Sequence, residues 1–185
     1  MDGALSIVIE AAAFAADRHR GQRRKDAAAS PYINHPLTVA RILAVEAGVT
    51  DPVVLAAALL HDTVEDTQTT EGELRERFGD EVAAVVLEVT DDKDLDKVMR
   101  KRLQVEHAAN LSSRAKLVKL ADKTANLRDI LHSPPSGWLL TRRQEYAKWA
   151  KDVVDGLRGD HPVVEQIFDA AHGDLLQALD GRLTP

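Results

Sequence analysis

Residues 52–66 read PVVLAAALLHDTVED, and this stretch joins an apolar helix to a cluster of imidazole and carboxylate side chains. Every residue from Val53 to Leu60 is apolar, so this helix has no polar face and should lie buried at the centre of the fold. Asp51 and Pro52 supply an N-cap and a first-turn proline for it. The polar residues after Leu60 therefore emerge from the interior of the protein.

Outside this stretch the apolar residues follow helical spacing, and the alternation typical of strands is almost absent. Gly, Pro and capping residues divide the pattern into segments. The predicted helices cover about residues 4–20, 34–47, 52–60, 80–91, 95–109, 113–131, 139–158 and 161–180. A further short helix begins after Thr70, where Thr70 and Glu73 resemble a capping box, and Gly79 and Asp80 separate it from the next helix. The sequence therefore predicts a compact all-α, multi-helix fold, with residues 1–185 in one domain.

Composition narrows the class of protein. The 185 residues are close to the usual size of one domain. Cysteine is absent, which removes thiolate zinc sites, thiol nucleophiles and disulfides and fits a cytoplasmic location. The formal net charge of −6 argues against a nucleic-acid binder. No apolar run approaches the roughly 20 residues of a membrane span, and the N-terminus lacks the basic region of a signal peptide.

Four polar side chains crowd the end of the central helix. Glu65 lies four residues after His61, and Asp66 lies four after Asp62, so each pair shares a helix face. Carboxylates in such a poorly solvated place are costly unless a cation is bound or another group pairs with them. This pattern favours a metal site. The alternative is a helix end that has simply become polar, with His61 interacting with the helix dipole.

Two distant residues could complete such a site. Asp122 lies in the strongly apolar segment AKLVKLADKTANLRDIL and needs a partner there, with Asn126 on the same face. The alternative for Asp122 is a surface salt bridge to a neighbouring lysine. His35 precedes a proline, which favours an extended backbone and suits a ligand held by a loop. Taken alone, His35 is also explained as a hydrogen-bonding residue at the start of a helix.

Several motifs resemble a known family. The spacing of His35, His61-Asp62 and Asp122 resembles the HD superfamily of metal-dependent phosphohydrolases. The segments RRKDAAASPYINHPLTVARIL, AALLHDTVEDTQTT, EVTDDK, KRLQVE, AKLVKLADKTANLRD and RRQEYAKWA together resemble the hydrolase domain of RelA/SpoT homologues. Among these, they are similar to the small single-domain alarmone hydrolases of the metazoan SpoT type. The resemblance covers residues from about 5 to about 158, and residues 159–185 add little to it.

The resemblance implies an enzyme that removes the 3′-pyrophosphate from ppGpp or pppGpp, giving GDP or GTP and pyrophosphate. It implies one bound Mn²⁺, although Zn²⁺, Fe²⁺ or Co²⁺ can occupy such a donor set. The implied metal ligands are His35, His61, Asp62 and Asp122. Glu65 and Asp66 match the catalytic pair that orients and deprotonates the attacking water. The substrate-binding candidates are Arg24, Lys25, Lys97, Asn126, Arg142 and Tyr146.

Two other functions remain open from the sequence. A phosphatase of the same fold could act on another nucleotide, such as NADPH at its 2′-phosphate, because both substrates carry a purine, a ribose and a ribose-linked phosphate ester. A non-enzymatic nucleotide-binding regulator would be expected to lack a metal ligand or one of the catalytic pair, and all six positions are intact here.

Overall fold

The computed structural model describes residues 3–181. Residues 1, 2 and 182–185, which the sequence assigns to the same domain, lie outside the described part. The predicted all-α fold is confirmed, because the described residues form helices and their one β-type pairing is an isolated bridge between Arg23 and Pro31. The helices are α1 (Gly3–Arg18), α2 (Asn34–Arg41), α3 (Pro52–Leu60), α4 (Thr63–Asp66), α5 (Glu71–Val89), α6 (Lys97–His107), α7 (Ser113–His132), α8 (Leu140–Asp155) and α9 (Pro162–Asp180).

Helix α3 lies at the centre of the molecule, as the apolar run predicts. Val54 and all residues from Ala56 to Leu60 are buried, and α3 packs against α1, α2, α5 and α7. The carboxylate of Asp51 accepts a hydrogen bond from the backbone N–H of Val53 at 2.9 Å, which caps the helix as expected. Because α3 is buried up to its last residue, Leu60, the residues that follow it enter the candidate site directly from the core.

The helix that carries His35 differs from the prediction. His35 lies in the first turn of α2 and is helical, so the expected extended backbone is wrong. The restraint that Pro36 places on the preceding residue is a modest steric preference, and the first turn of a helix needs no N–H from proline. After Arg41 the helix continues as a π-helical turn over Ile42–Glu46, and Gly48 ends it with a φ of +68°.

Gly79 interrupts α5 as the sequence predicts. Its φ of +83° and ψ of 169° lie outside the helical region and kink the span between Glu71 and Val89. At the start of this span, the side chain of Thr70 accepts a hydrogen bond from the backbone N–H of Glu73 at 3.2 Å. Glu73 does not complete the expected capping box, because its carboxylate pairs with Arg18 of α1 instead.

Helix α7 runs through the core beside α3 and also packs against α9. It buries three charged side chains, Lys119, Asp122 and Lys123, which is unusual for a helix in a hydrophobic interior. Helix α9 covers the far side of α7 with buried residues that include Phe168 and Leu175. None of the helices among residues 3–181 is long and apolar enough to cross a membrane.

Candidate metal centre and substrate cavity

Four predicted ligand residues converge from three parts of the chain. His35 begins α2, His61 and Asp62 follow α3, and Asp122 lies in the middle of α7. Ligand atoms of the first three lie within 4.8 Å of one another. Oδ1 of Asp122 lies 3.2 Å from Nε2 of His35 and 3.8 Å from Nε2 of His61. The two imidazoles and the Asp62 carboxylate therefore form one cluster, and the Asp122 carboxylate lies against both imidazoles.

The hydrogen bonding of His61 leaves one ring nitrogen available for a cation. Nδ1 lies 2.8 Å from the carbonyl oxygen of Ala58, which can only accept, so Nδ1 carries the proton. Nε2 is buried and finds no hydrogen-bond donor among residues 3–181, although Oδ1 of Asp62 lies 3.3 Å away. Both of those atoms are acceptors in this tautomer. A divalent ion between them would satisfy both, so the residues present fit a metal.

Both aspartates are ionised in this environment. Burial raises the pKa of the Asp62 carboxyl, but the adjacent His61 and His35 outweigh burial and hold it below its usual value. Burial likewise opposes ionisation of Asp122, and the ammonium of Lys123 together with the two histidines holds the pKa of that carboxyl well below its ordinary range. Two carboxylates and two imidazoles, without thiolate, suit a divalent ion that accepts oxygen and nitrogen ligands.

Lys123 is a buried partner of Asp122, not a surface one. Its Nζ lies 3.1 Å from Oδ2 of Asp122 and 4.4 Å from the ring centre of Trp149. Burial alone would lower the pKa of Lys123, but Asp122 outweighs burial and raises it. The predicted alternative of a weak exposed salt bridge for Asp122 is therefore wrong, because both members are buried in α7.

Glu65 and Asp66 lie on the short helix α4, one turn beyond His61 and Asp62. Oε2 of Glu65 accepts a hydrogen bond from the backbone N–H of Asp91 at 3.3 Å. Burial raises the pKa of the Glu65 carboxyl, and the neighbouring carboxylates of Asp91 and Asp62 raise it further. A carboxylate with a raised pKa is a better proton acceptor near neutral pH, which suits a general base.

Asp66 is held by two residues that sequence reasoning missed. The Tyr32 hydroxyl lies 3.0 Å from Oδ2 of Asp66 and 2.7 Å from Oδ2 of Asp62, and Lys93 Nζ lies 2.5 Å from Oδ1 of Asp66. Burial and the two carboxylates raise the pKa of Tyr32, so the phenol keeps its proton and donates it. Tyr32 lies in the segment PYINHP, but nothing in its local spacing indicates a contact with the HD pair.

A cavity of about 660 Å³ opens beside the metal cluster. His35 and Asp66 lie on its wall, as do four of the predicted substrate-binding residues, Arg24, Lys25, Asn126 and Tyr146. Its other lining residues are Gln22, Arg23, Asp26, Ser30, Tyr32, Asn34, Thr38, Asp129, Ile130, Ser133, Pro135 and Trp138. Its size and its mixture of aromatic and cationic side chains are appropriate for a nucleotide.

The remaining two predicted residues, Lys97 and Arg142, do not line this cavity. Lys97 is exposed at the start of α6, and the Arg142 guanidinium lies 4.3 Å from the ring centre of Trp138. Burial lowers the pKa of Lys101, and the positive charges of Lys97 and Arg142 contribute to that shift. The two predicted residues therefore belong to a cationic group around Lys101, and Arg142 reaches the Trp138 wall of the cavity.

Asn126 connects the cavity to the metal cluster. Its amide nitrogen donates to Oδ1 of Asp122 at 2.6 Å, and its amide oxygen lies 3.4 Å from Nη2 of Arg24. The Arg24 guanidinium also pairs with Asp129 at 2.5 Å. Burial raises the pKa of Tyr146 to about 12, so its phenol is a donor at neutral pH.

A helical fold that brings a histidine, a His-Asp pair and a distant aspartate to one point defines an HD-type protein. The chain belongs to the HD domain family, which residues 11–158 match. It is 57% identical over 169 residues to the guanosine-3′,5′-bis(diphosphate) 3′-pyrophosphohydrolase of Xenopus tropicalis, covering 91% of this chain and 94% of the relative. The human protein of the same name is 60% identical over 159 residues, covering 86% and 89%.

A solved structure agrees with this family. It is described as a metazoan orthologue of SpoT that hydrolyses ppGpp and plays a role in starvation responses. The two folds superpose with a TM-score of 0.87 and 52% sequence identity, covering 89% of this chain and 93% of that one. The resemblance to RelA/SpoT-homologue hydrolases is therefore confirmed, and the chain belongs to the family that these relatives form.

Proposed function

We propose that this chain is a metal-dependent hydrolase that removes the 3′-pyrophosphate from ppGpp and pppGpp, giving GDP or GTP and pyrophosphate. The observation that carries the proposal is the convergence of His35, His61, Asp62 and Asp122 beside a cavity of nucleotide size. The similarity to relatives named for this reaction, over nearly their whole length, supports the same substrate.

The four converging side chains would hold one divalent ion, and we propose Mn²⁺. Such an ion polarises phosphoryl oxygens and lowers the pKa of a coordinated water. Tyr32 orients the carboxylate of Asp62 through a contact of 2.7 Å, and Lys123 orients the carboxylate of Asp122 through a contact of 3.1 Å. Asn126 restrains Asp122 from the cavity side. These partners fix the direction of the ligand oxygens before any ion arrives.

Glu65 takes a proton from the attacking water, and Asp66 helps to orient that water at the cavity wall. The water oxygen forms a bond to the phosphorus attached to the 3′ oxygen, and the bond from that phosphorus to the 3′ oxygen breaks. The proton held by the carboxylate then passes to the 3′ oxygen, so one water is consumed and no net proton is required. The half-buried position of Glu65 and its raised pKa support this assignment.

The substrate carries several phosphate groups and a purine, and the cavity offers partners for both. Arg24 and Lys25 on the loop between α1 and α2 face the phosphates, with Asn126 and Tyr146 as neutral donors. Lys97 and Arg142 bind phosphates that extend past Trp138. Residues 1–185 act together as a single hydrolase domain in this proposal, and we propose a cytoplasmic location for it.

Hydrolysis of defined nucleotides by the purified full chain tests this proposal. The protein is incubated with Mn²⁺ and with ppGpp, pppGpp or NADPH, and kcat/KM is measured for each by product chromatography. The expected result is release of pyrophosphate from the guanosine substrates with the highest kcat/KM. A large preference for NADPH would replace the proposed substrate by the alternative one. Binding without turnover of any nucleotide would indicate a regulator instead of an enzyme.

A further inference from the structure

We infer that Arg100 of α6 is a positioning residue that holds the carboxylate of Glu65 toward the attacking water. This inference rests on the proposed function, because it assigns Glu65 the role of proton acceptor. Arg100 lies 35 residues away from Glu65 in the chain, and the sequence motifs around the HD pair do not include it.

Arg100 and the backbone of Asp91 each contact one oxygen of Glu65. Nη1 of Arg100 lies 3.4 Å from Oε1, and the N–H of Asp91 lies 3.3 Å from Oε2. The side chains of Arg100 and Glu65 are 26% and 20% exposed, so neither is free to turn into bulk solvent. Both contacts are long, which is common for catalytic hydrogen bonds before substrate closes the site.

A second residue of α6 fixes the other half of this arrangement. Gln104 lies one helical turn after Arg100 on the same face and donates from Nε2 to Oδ2 of Asp91 at 2.6 Å. Helix α6 therefore reaches Glu65 directly through Arg100 and indirectly through Asp91. The loop before α6 also supplies Lys93, which pairs with Asp66, so α6 and this loop together contact both catalytic carboxylates.

The remaining contacts of Arg100 indicate that its charge is directed to Glu65. Among the described residues, Glu65 is the one carboxylate with which Arg100 forms an ion pair. Its buried Nε finds no hydrogen-bond partner there, and neither does the buried Oε1 of Gln104. Both side chains line a cavity of about 310 Å³ that Asp91 also lines. An arginine needed only for folding would be expected to satisfy its buried donor.

Arg100→Gln removes the charge that holds Glu65 and tests the inference directly. We expect kcat for ppGpp to fall by about 10- to 100-fold, a part of what proton transfer contributes, with KM and bound Mn²⁺ unchanged. Arg100→Lys keeps the charge and should recover part of the rate, and added guanidinium should partly rescue Arg100→Gln. Gln104→Met loosens Asp91 only, and should lower kcat less than Arg100→Gln does.

Arg102→Gln is the matched control, because Arg102 is on the same helix but pairs with Glu106 on the exposed surface. It should leave kcat unchanged.

An equal loss of kcat in both glutamine variants, or an unchanged kcat in Arg100→Gln, would overturn the inference while wild-type turnover still upheld the proposed function. If Arg100→Gln does not fold, full activity in both Gln104→Met and Arg100→Lys would overturn it. A wild-type protein without turnover would overturn both proposals.

Discussion

The hydroxyl of Tyr32 lies 2.7 Å from Oδ2 of Asp62, and it thereby ties the loop before α2 to the end of α3. The Tyr32 ring also stacks on His19, with ring centres 4.7 Å apart. Because the phenol keeps its proton, it donates to the carboxylate and fixes the direction of the other Asp62 oxygen. One loop tyrosine thus controls the geometry of a residue thirty positions later in the chain.

Tyr32→Phe removes that hydrogen bond and keeps the stacked ring. We expect the affinity for Mn²⁺ to fall by roughly 10-fold, the lower end of what the loss of a ligand's hydrogen-bond partner costs. Isothermal titration of the metal-free protein measures this change. Thermal unfolding of the metal-free variant is the control and should stay close to wild type. An unchanged affinity would show that Tyr32 does not orient Asp62.

His61→Ala and Asp62→Asn each remove a proposed ligand, and Glu65→Gln removes only basicity. We expect the first two to lose metal and turnover together. Glu65→Gln should retain the metal and lose about 100- to 10,000-fold in rate, the range for a missing general base. Mass-spectrometric metal analysis of each variant, beside kcat, separates the two classes. Loss of metal in Glu65→Gln would move Glu65 from the base to the ligand set.

Glu46 and Arg128 provide a test of stability against pH away from the active site. Two hydrogen bonds of 2.9 Å from the guanidinium hold the pKa of Glu46 below its usual value. The pair therefore stabilises the fold above the unfolded-state pKa, and this contribution disappears as the pH falls through the lower folded-state pKa.

The expected contribution is about 1 kcal/mol, because both side chains remain partly exposed. Glu46→Gln should therefore be less stable than wild type in urea at about pH 7, and the difference should shrink progressively as the pH falls below the ordinary glutamate pKa of about 4.3. A difference that does not shrink on acidification would mean that the charge of Glu46 is not the source of its effect.

Substitution of Phe168 tests whether α9 contributes to stability only and not to catalysis. Its side chain is fully buried, and no residue of α9 lines the cavity of about 660 Å³. Phe168→Ala should cost about 3–5 kcal/mol in the free energy of unfolding and leave kcat of the folded protein unchanged. Leu176→Ala, which alters a residue 38% exposed on the same helix, is the control and should cost about 1 kcal/mol or less. A lower kcat in folded Phe168→Ala would indicate that α9 contributes to the site.

The sequence by itself determined the helices and the identity of the converging side chains. The uninterrupted apolar run of α3, the N-cap at Asp51 and the break at Gly79 are local features with local causes, so spacing and turn chemistry were enough to predict them. The expected extended backbone at His35 failed because a single pre-proline preference is weaker than the packing of a whole helix.

Only the tertiary structure decided what surrounds the candidate site. Tyr32 against Asp62, Arg100 against Glu65, and the placement of Arg142 on Trp138 outside the cavity wall all depend on how separate helices pack. Lys123 shows the physical reason most clearly. From its position beside Asp122 in the sequence, this lysine was expected to be exposed. Because α7 is buried, it is instead a buried counter-charge to Asp122, a candidate metal ligand. Burial depends on contacts between distant segments, which residue spacing along one helix does not specify.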